Sequence, residues 1–201
     1  MKRPIAELRT VTVHAGAEAE WLRAEHEAWQ ILRRKPGYVA HHLYQAVHAP
    51  QQRLVYSEWE STKALDGAGH FIQGTPLARR GRAAIDAVPE RLLVELVGPV
   101  TSTKGLDLPQ AAIAATAVAQ LPEAATGAQE SHATLGKFLA NQPGHITHVL
   151  FRGFNDPTLM GVFSHWTDMT SLDAALASLR ELDPSGSLQA LVHAQYQPLR
   201  A

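Results

Sequence analysis

Two stretches decide the fold: YSEWESTKALD, at Tyr56–Asp66, and FSHWTDMTSLD, at Phe163–Asp173. Both carry Ser, Trp, Leu and Asp at the same spacing, and their tryptophans, Trp59 and Trp166, lie 107 residues apart. The same offset aligns the sequence before them without a gap, so that PGYVAHHLYQ matches PGHITHVLFR. Ten of the 31 positions from 36 to 66 are identical. A match at one fixed offset indicates that the chain contains the same structural unit twice.

Composition excludes several classes of protein. The 201 residues are 45% hydrophobic, carry a formal net charge of −1 and include no cysteine, so disulfides, thiolate catalysis and cysteine-bound zinc are excluded. A near-neutral chain has no general attraction to nucleic acid or anionic membranes. The N-terminal sequence has no apolar core of a signal peptide. We therefore expect a cytoplasmic protein with no nucleic-acid partner and no membrane partner.

Each copy is predicted to fold as strand, helix, strand, strand, helix, strand. The first helix has apolar residues at Trp21, Ala24, Ala28, Ile31 and Leu32, a spacing typical of one buried face. A Pro-Gly pair ends that helix in both copies. An additional helix, the third of copy one, is predicted where Pro76 follows the capping residue Thr75. The predicted elements of copy one are strand Ile5–Val13, helix Ala17–Arg34, strands Tyr38–Val47 and Arg53–Glu60, a helix from Ser61 or Thr62, helix Thr75–Ala87 and strand Arg91–Val97.

The fold class that follows is α+β, with two ferredoxin-like βαββαβ units forming one intramolecular barrel. In the third strand Leu54 and Tyr56 point to one face and Val55 and Trp59 to the other, so both faces of the sheet are predicted to be buried. Two such sheets can cover each other. Strand parity leaves two sets for the shared face: Val39, His41 and Leu43 with Ile146, His148 and Leu150, or Ala40 and Tyr44 with Thr147 and Phe151.

The predicted boundaries follow from the same alignment. Residues 1–98 form copy one, residues 99–110 a linker, and residues 111–201 a degenerate copy two. Copy two is shorter after its tryptophan, so we expect little or no counterpart of helix Thr75–Ala87 there. We expect copy one to carry the ligand site. Further association of whole chains into a homodimer stays open.

The stretch SEWESTKALDGAGHF, together with PGYVAHHLYQ, resembles the antibiotic biosynthesis monooxygenase family of the dimeric α+β barrel superfamily. The resemblance covers nearly all of copy one and is weaker in copy two. It implies a pocket between the sheet and the helices of one unit, with Trp59 and Trp166 as wall residues. The superfamily includes cofactor-free oxygenases and haem-degrading enzymes, so the resemblance implies the fold more strongly than the activity.

Candidate site residues follow from the resemblance and from side-chain chemistry. His70 is placed near the iron ligand of the haem-degrading enzymes, and His70 or His41 is a candidate general base because imidazole titrates near neutral pH. The alternative for His70 is an exposed position on the helix surface without a role in a site. The other candidates are the ligand-binding residues Trp59, Tyr44, Arg53, Ser57 and Trp166. No metal-binding spacing is found, so no metal and no cofactor are predicted.

Several charged and titratable residues, His41 among them, also have a purely structural interpretation. His41 is expected to be half-buried and hydrogen-bonded, with the neighbouring His42 on the opposite face. Glu25 lies at the edge of the apolar stripe, where it can face a pocket, although a solvated helix edge is the favoured position. The arginines at 79, 80 and 82 are expected on a solvated helix face. The catalytic residues of the known subfamilies are not all present in this sequence. The first strand lacks the asparagine of the haem-degrading enzymes, and Val55 and Leu65 stand where the quinone-forming enzymes carry Asn and Tyr.

Three functions remain open at this point. The first is a cofactor-independent monooxygenase that acts on a small aromatic or polyketide-like molecule. The second is a non-enzymatic module that binds a small molecule or serves in a stress response. The third is a haem-binding or haem-degrading protein that uses His70.

Overall fold

The computed structural model describes residues 3–97, 111–120, 128–182 and 192–199, and the predicted linker 99–110 lies outside these ranges. The first unit contains four strands and three helices: β1 Ile5–Thr12, α1 Glu18–Leu32, β2 Tyr38–Ala46, β3 Gln52–Trp59, α2 Thr62–Gln73, α3 Pro76–Ala83 and β4 Glu90–Val97. The second contains β5 Ile113–Gln120, α4 Ala128–Ala140, β6 His145–Gly153, β7 Leu159–Trp166, α5 Met169–Leu182 and β8 Val192–Pro198.

The eight strands form one closed antiparallel barrel in the order β1-β3-β2-β8-β5-β7-β6-β4. Unit one supplies β4-β1-β3-β2, and unit two supplies β8-β5-β7-β6 in the equivalent order. Two seams join the units, one between β2 and β8 and one between β4 and β6, where Leu96 lies opposite Phe151. Since the two seams use equivalent strands, the units are related by a pseudo-twofold axis. The predicted intramolecular α+β barrel is confirmed.

The barrel interior holds the second of the two predicted faces. Tyr44 and Phe151 pack there with Leu54, Tyr56 and Phe163. Leu43 and Leu150 point the other way, each toward the helices of its own unit. Successive side chains of a strand point to opposite faces of the sheet, so the position of one residue determines which residues of that strand face the barrel interior. Closing the barrel also removes every free sheet edge, which a single unit would leave exposed.

The Pro-Gly turn after the first helix of each unit requires glycine. Gly37 has a φ of +80° and Gly144 a φ of +73°, a left-handed conformation that residues with a side chain rarely adopt. A Cβ at Gly37 would also lie 2.5 Å from the Cβ of Ala64. Glycine thus lets the start of α2 approach the turn closely. α2 begins there with the hydroxyl of Ser61 accepting a hydrogen bond from the Ala64 amide at 3.2 Å.

The buried face of α1 differs from the prediction at three positions. Trp21, Ala24, Trp29 and Leu32 are buried, whereas Ala28 and Ile31 are only half-buried. The face therefore runs through Trp29, which lies eight residues after Trp21 and so on the same side of the helix. This shift of the apolar stripe places a second indole beside the sheet. None of the helices in the described ranges has the length and apolar character needed to cross a membrane.

Candidate functional site

Unit one contains a cavity of about 270 Å³ between its sheet and its three helices. Alternate residues of β1 form the floor, because Glu7, Arg9 and Val11 all point toward the helices. The remaining lining comes from α1, α2, α3, the segment after α3, Trp59 and Arg91. The volume lies near the lower end of the range for ligand pockets, roughly 300–1,000 Å³. The cavity is therefore of a size for a small molecule.

The walls of the cavity are largely apolar and aromatic. Trp21, Trp29 and Trp59 line it, and all three are buried. The indole Nε1 of Trp59 donates a hydrogen bond to the hydroxyl of Ser57 at 3.1 Å, which fixes the ring on the sheet. Indole faces provide rigid apolar surfaces against which another aromatic ring can pack.

A charged pair lies inside this apolar wall. The Nη2 of Arg9 donates to both carboxylate oxygens of Glu25 at 2.8 Å, and the Trp29 indole donates to the same carboxylate at 3.2 Å. The side chain of Glu25 is only 12% exposed. The solvated position predicted for Glu25 is therefore wrong, because a buried carboxylate is retained where hydrogen bonds compensate its lost hydration.

A second pair stands at the edge of the cavity, where Arg91 binds Glu7. Each carboxylate in the described lining is thus held by an arginine, and this lining includes no histidine. The Nε of Arg9 is buried, with no hydrogen-bond partner in the described ranges. All the hydrogen bonds assigned to Arg9 there come from Nη2, so the pairing with Glu25 uses one of its three nitrogens.

The predicted bases do not line this cavity. His70 is exposed on α2, where its Nδ1 lies 2.8 Å from the carbonyl oxygen of Asp66. His41 lies behind Trp29: the two rings stack with centroids 4.3 Å apart and an interplanar angle of 9°. The Nδ1 of His41 is 2.8 Å from the hydroxyl of Tyr38. Burial, followed by the nearby charges of His42, His26 and Arg33, lowers the pKa of His41 to about 4.

The predicted ligand-binding residues are distributed over four regions. Trp59 lines the cavity, and Ser57 supports it from behind. Tyr44 lies in the barrel interior, where its hydroxyl is 2.8 Å from Nε2 of His165. Arg53 is buried near the start of β3 and donates to the carbonyl oxygens of Pro50 and Gln52. Trp166 belongs to the core of unit two. The structure therefore brings together Trp59 and Ser57 but not the other three.

Sequence reasoning missed the charged residues of the floor. Glu7 and Arg9 alternate with the apolar residues Ile5 and Val11 on the face of β1 that the helices cover. Charges on the covered face of a strand are unusual, and the position of Glu7 and Arg9 between Ile5 and Val11 on that face is a signal that could have found them. Their partners Glu25 and Arg91 are distant in sequence. No local pattern identifies those two as their partners.

Comparison with known proteins supports the barrel fold and finds a family match within its first unit. Residues 4–69 match the family model of antibiotic biosynthesis monooxygenase. Three solved structures share the fold over 98% of this chain: a candidate monooxygenase of Fusobacterium nucleatum, a candidate monooxygenase of Lactobacillus acidophilus and an anthrone oxidase-like protein.

Their sequence identities to this chain are 9%, 10% and 16%, with TM-scores of 0.69, 0.67 and 0.67 and coverage of 93%, 94% and 92% of their own chains. Identities this low show the shared fold alone. Among curated proteins, none matches the chain. The matched residues run from the start of β1 into α2 and include Trp59 and the Arg9–Glu25 pair. Unit one thus matches the antibiotic biosynthesis monooxygenase family over residues 4–69, and the chain shares the α+β barrel fold of the three solved structures.

Proposed function

We propose that the cavity of unit one binds a small aromatic molecule and that the protein oxygenates it without a cofactor. The observation that carries the proposal is the Arg9–Glu25 pair inside an indole-walled cavity. An apolar cavity of about 150 Å³ holds benzene. The cavity of about 270 Å³ therefore suits one ring or two fused rings better than a large polyketide.

The chemistry draws its electrons from the substrate. A phenol with an activated ring C–H releases its hydroxyl proton to solvent, its anion reduces dioxygen, and a C–O bond forms at that ring carbon and, after reprotonation, gives a hydroperoxide. Loss of water then leaves a carbonyl group, so that one oxygen atom enters the product and the other leaves as water. No external reductant is consumed. A cavity shielded from water favours these steps because it strengthens electrostatic interactions and limits side reactions.

The role of Arg9 is to stabilise the substrate anion. A guanidinium within about 4–6 Å lowers the pKa of a bound phenol because it favours the charged form. Glu25 holds the guanidinium through Nη2, which leaves donors on the other nitrogens for a substrate oxygen. Fixed donors of this kind require no reorganisation when negative charge develops. Arg9 is thus the residue we propose to contact the reacting oxygen.

A binding protein without catalysis is the second candidate. It is favoured by the described lining, in which both carboxylates are paired with arginine and no histidine is present. The third function, haem binding through His70, has no support from the cavity because His70 is exposed outside its lining.

Oxygen uptake with a panel of one-ring and two-ring phenols tests the first proposal. We expect uptake with incorporation of one ¹⁸O atom from labelled dioxygen. The double variant R9Q/E25Q removes both charges and avoids leaving either one buried alone. It should abolish uptake, whereas W166F in the core of unit two should retain it. Binding without oxygen uptake would favour the second candidate, and an absence of both would contradict the proposed site.

A further inference from the structure

The arginines of α3 occupy different environments, although they follow one another closely in sequence. Arg80 donates to Glu27 of α1 at 2.6 Å, at an exposed position on the surface. Arg82 lines the cavity and is also exposed to solvent, so it stands at the cavity mouth. Arg79 is exposed and does not belong to the lining. The arginine run therefore contains one residue at the cavity mouth and two outside the cavity, rather than three equivalent surface charges.

The charges in the cavity lining do not balance. Arg9 is paired with Glu25, and Arg91 with Glu7. Arg82 enters none of the ion pairs found among the described residues. The described lining thus has three guanidinium groups and two carboxylates, which leaves one positive charge at the mouth. A ligand with one carboxylate would neutralise that charge.

The fold gives the mouth and the interior of the cavity different chemistry. The interior has indole walls and the Arg9–Glu25 pair, whereas the mouth is formed in part by α3, in which no residue is buried. A planar guanidinium at a partly exposed position can bind a carboxylate through two parallel hydrogen bonds. A ring in the interior can therefore extend a carboxylate outward to Arg82.

We propose that the ligand of unit one is an aromatic carboxylate, with its ring between the indoles and its carboxylate at Arg82. This proposal rests on the proposed function of the same cavity and adds the charge of the ligand to it. It makes Arg82 a residue that determines specificity and assigns it no part in the reaction itself. Arg79 provides a matched control because it carries the same charge on the same helix.

The test compares 2-naphthoate with its neutral analogue 2-naphthamide, by titration followed through tryptophan fluorescence. The wild-type protein should bind the carboxylate about fivefold to tenfold more tightly than the amide, the effect expected of one partly exposed charge-assisted hydrogen bond. R82Q should lose this preference while its affinity for the amide is unchanged. R79Q should keep the preference to within about twofold, since a charge outside the lining acts only through solvent-screened attraction.

Each other outcome has a definite meaning. Equal loss of preference in R79Q and R82Q would show a general electrostatic field in place of a carboxylate site. A wild-type protein that binds both probes equally would overturn the carboxylate proposal and leave the proposed function standing. If neither probe binds, the cavity is not an aromatic site and both proposals are wrong. Because Arg82 is exposed, circular dichroism should show that R82Q remains folded.

Discussion

The two units share the same arrangement of strands but differ in the space between the sheet and its helices. Trp59 and Trp166 donate to equivalent serine hydroxyls, Ser57 and Ser164, at 3.1 and 3.0 Å. The position equivalent to Trp29 in unit two is Gly136, where a Cβ would lie 2.9 Å from Nε2 of His148 and 3.1 Å from Leu150. In unit two, side chains of the sheet occupy the volume that the Trp29 indole fills in unit one.

The charged residues differ between the units in the same way. The offset places Thr116 at the position of Arg9 and Ala114 at that of Glu7. The tryptophan–serine contacts are the same in both units, whereas the charged residues of the cavity floor in unit one have an alanine and a threonine as their counterparts in unit two. The following predictions test this difference, from the largest effect to the smallest.

Separating the units should have the largest effect. Residues 1–98 expressed alone would expose the apolar face that packs inside the barrel, including Leu8, Leu54 and Leu96. We expect this fragment to self-associate or aggregate, and to form a soluble complex when residues 99–201 are co-expressed, because the second unit covers that face. Sedimentation velocity distinguishes these states. A stable, soluble monomer of the fragment would contradict the proposed boundary and the interdependence of the units.

Truncation of the paired tryptophans should separate fold from site. Trp59 and Trp166 are 1% and 0% exposed, so W59A and W166A should each lower the free energy of unfolding by about 3–5 kcal/mol. Urea denaturation measures this loss. Only W59A should also change the affinity for 2-naphthamide, because Trp59 lines the cavity. An equal change of affinity in W166A would mean that the ligand site is not confined to unit one.

A disulfide between α1 and α3 should stabilise unit one. A Cβ at Gly81 would lie 3.9 Å from the Cβ of Ala24, within the separation of about 3.5–4.5 Å found in disulfides. Since the chain has no cysteine, A24C/G81C introduces a single pair. The oxidised protein should be more stable than the reduced protein by about 2–4 kcal/mol, because the bond restricts the unfolded chain. Failure of the bond to form under mild oxidation would show that α3 does not rest on α1 here.

Acidification should destabilise the barrel through its buried histidines. Burial lowers the pKa of His42 to about 4, and burial together with the nearby His42 and His145 lowers that of His165 to about 3. The usual value is about 6.5, so between pH 6.5 and pH 4 the unfolded chain binds more protons than the folded one. The free energy of unfolding is therefore highest above about pH 7. It decreases as the pH is lowered, by up to about 1.4 kcal/mol per pH unit for each histidine.

Urea denaturation between pH 7.5 and pH 5 measures this slope. H165Q retains a polar group that can reach the hydroxyl of Tyr44 and should reduce the slope by the share of one histidine. The position equivalent to His165 in unit one is Glu58, so this pH response arises from a difference between the units. An unchanged slope in H165Q would exclude His165 as its source.

The smallest effect is expected where the units are alike. S57A and S164A each remove the acceptor of a buried indole N–H, which costs about 1–2 kcal/mol because that donor cannot reach water. The losses should agree to within about 0.5 kcal/mol by thermal or urea denaturation. A clear inequality would show that the two tryptophans are held differently despite their matching geometry.

The sequence by itself determined the barrel and its duplication. The fixed offset between Trp59 and Trp166 indicated two copies of one sheet. Because the third strand has apolar residues on both faces, each sheet had two faces to bury, and the two sheets could cover each other. The Pro-Gly pairs located the turns, since the left-handed backbone there favours glycine. The strand and turn patterns depend on residues close together in the chain, and the repeat appears when the sequence is compared with itself. They can be read without knowing which distant segments meet.

Only the tertiary structure decided the site. Arg9 and Glu25 are 16 residues apart, and Glu7 and Arg91 are 84 apart, so their pairing depends on how helix and strands pack. The same packing left His70 facing solvent and placed Tyr44 inside the barrel, two positions that their residue types alone could not indicate. Strand parity allowed either face to point inward, and the burial of Tyr44 and Phe151 in the closed barrel selected one. Side-chain direction is a local property, but what a side chain meets depends on the whole fold.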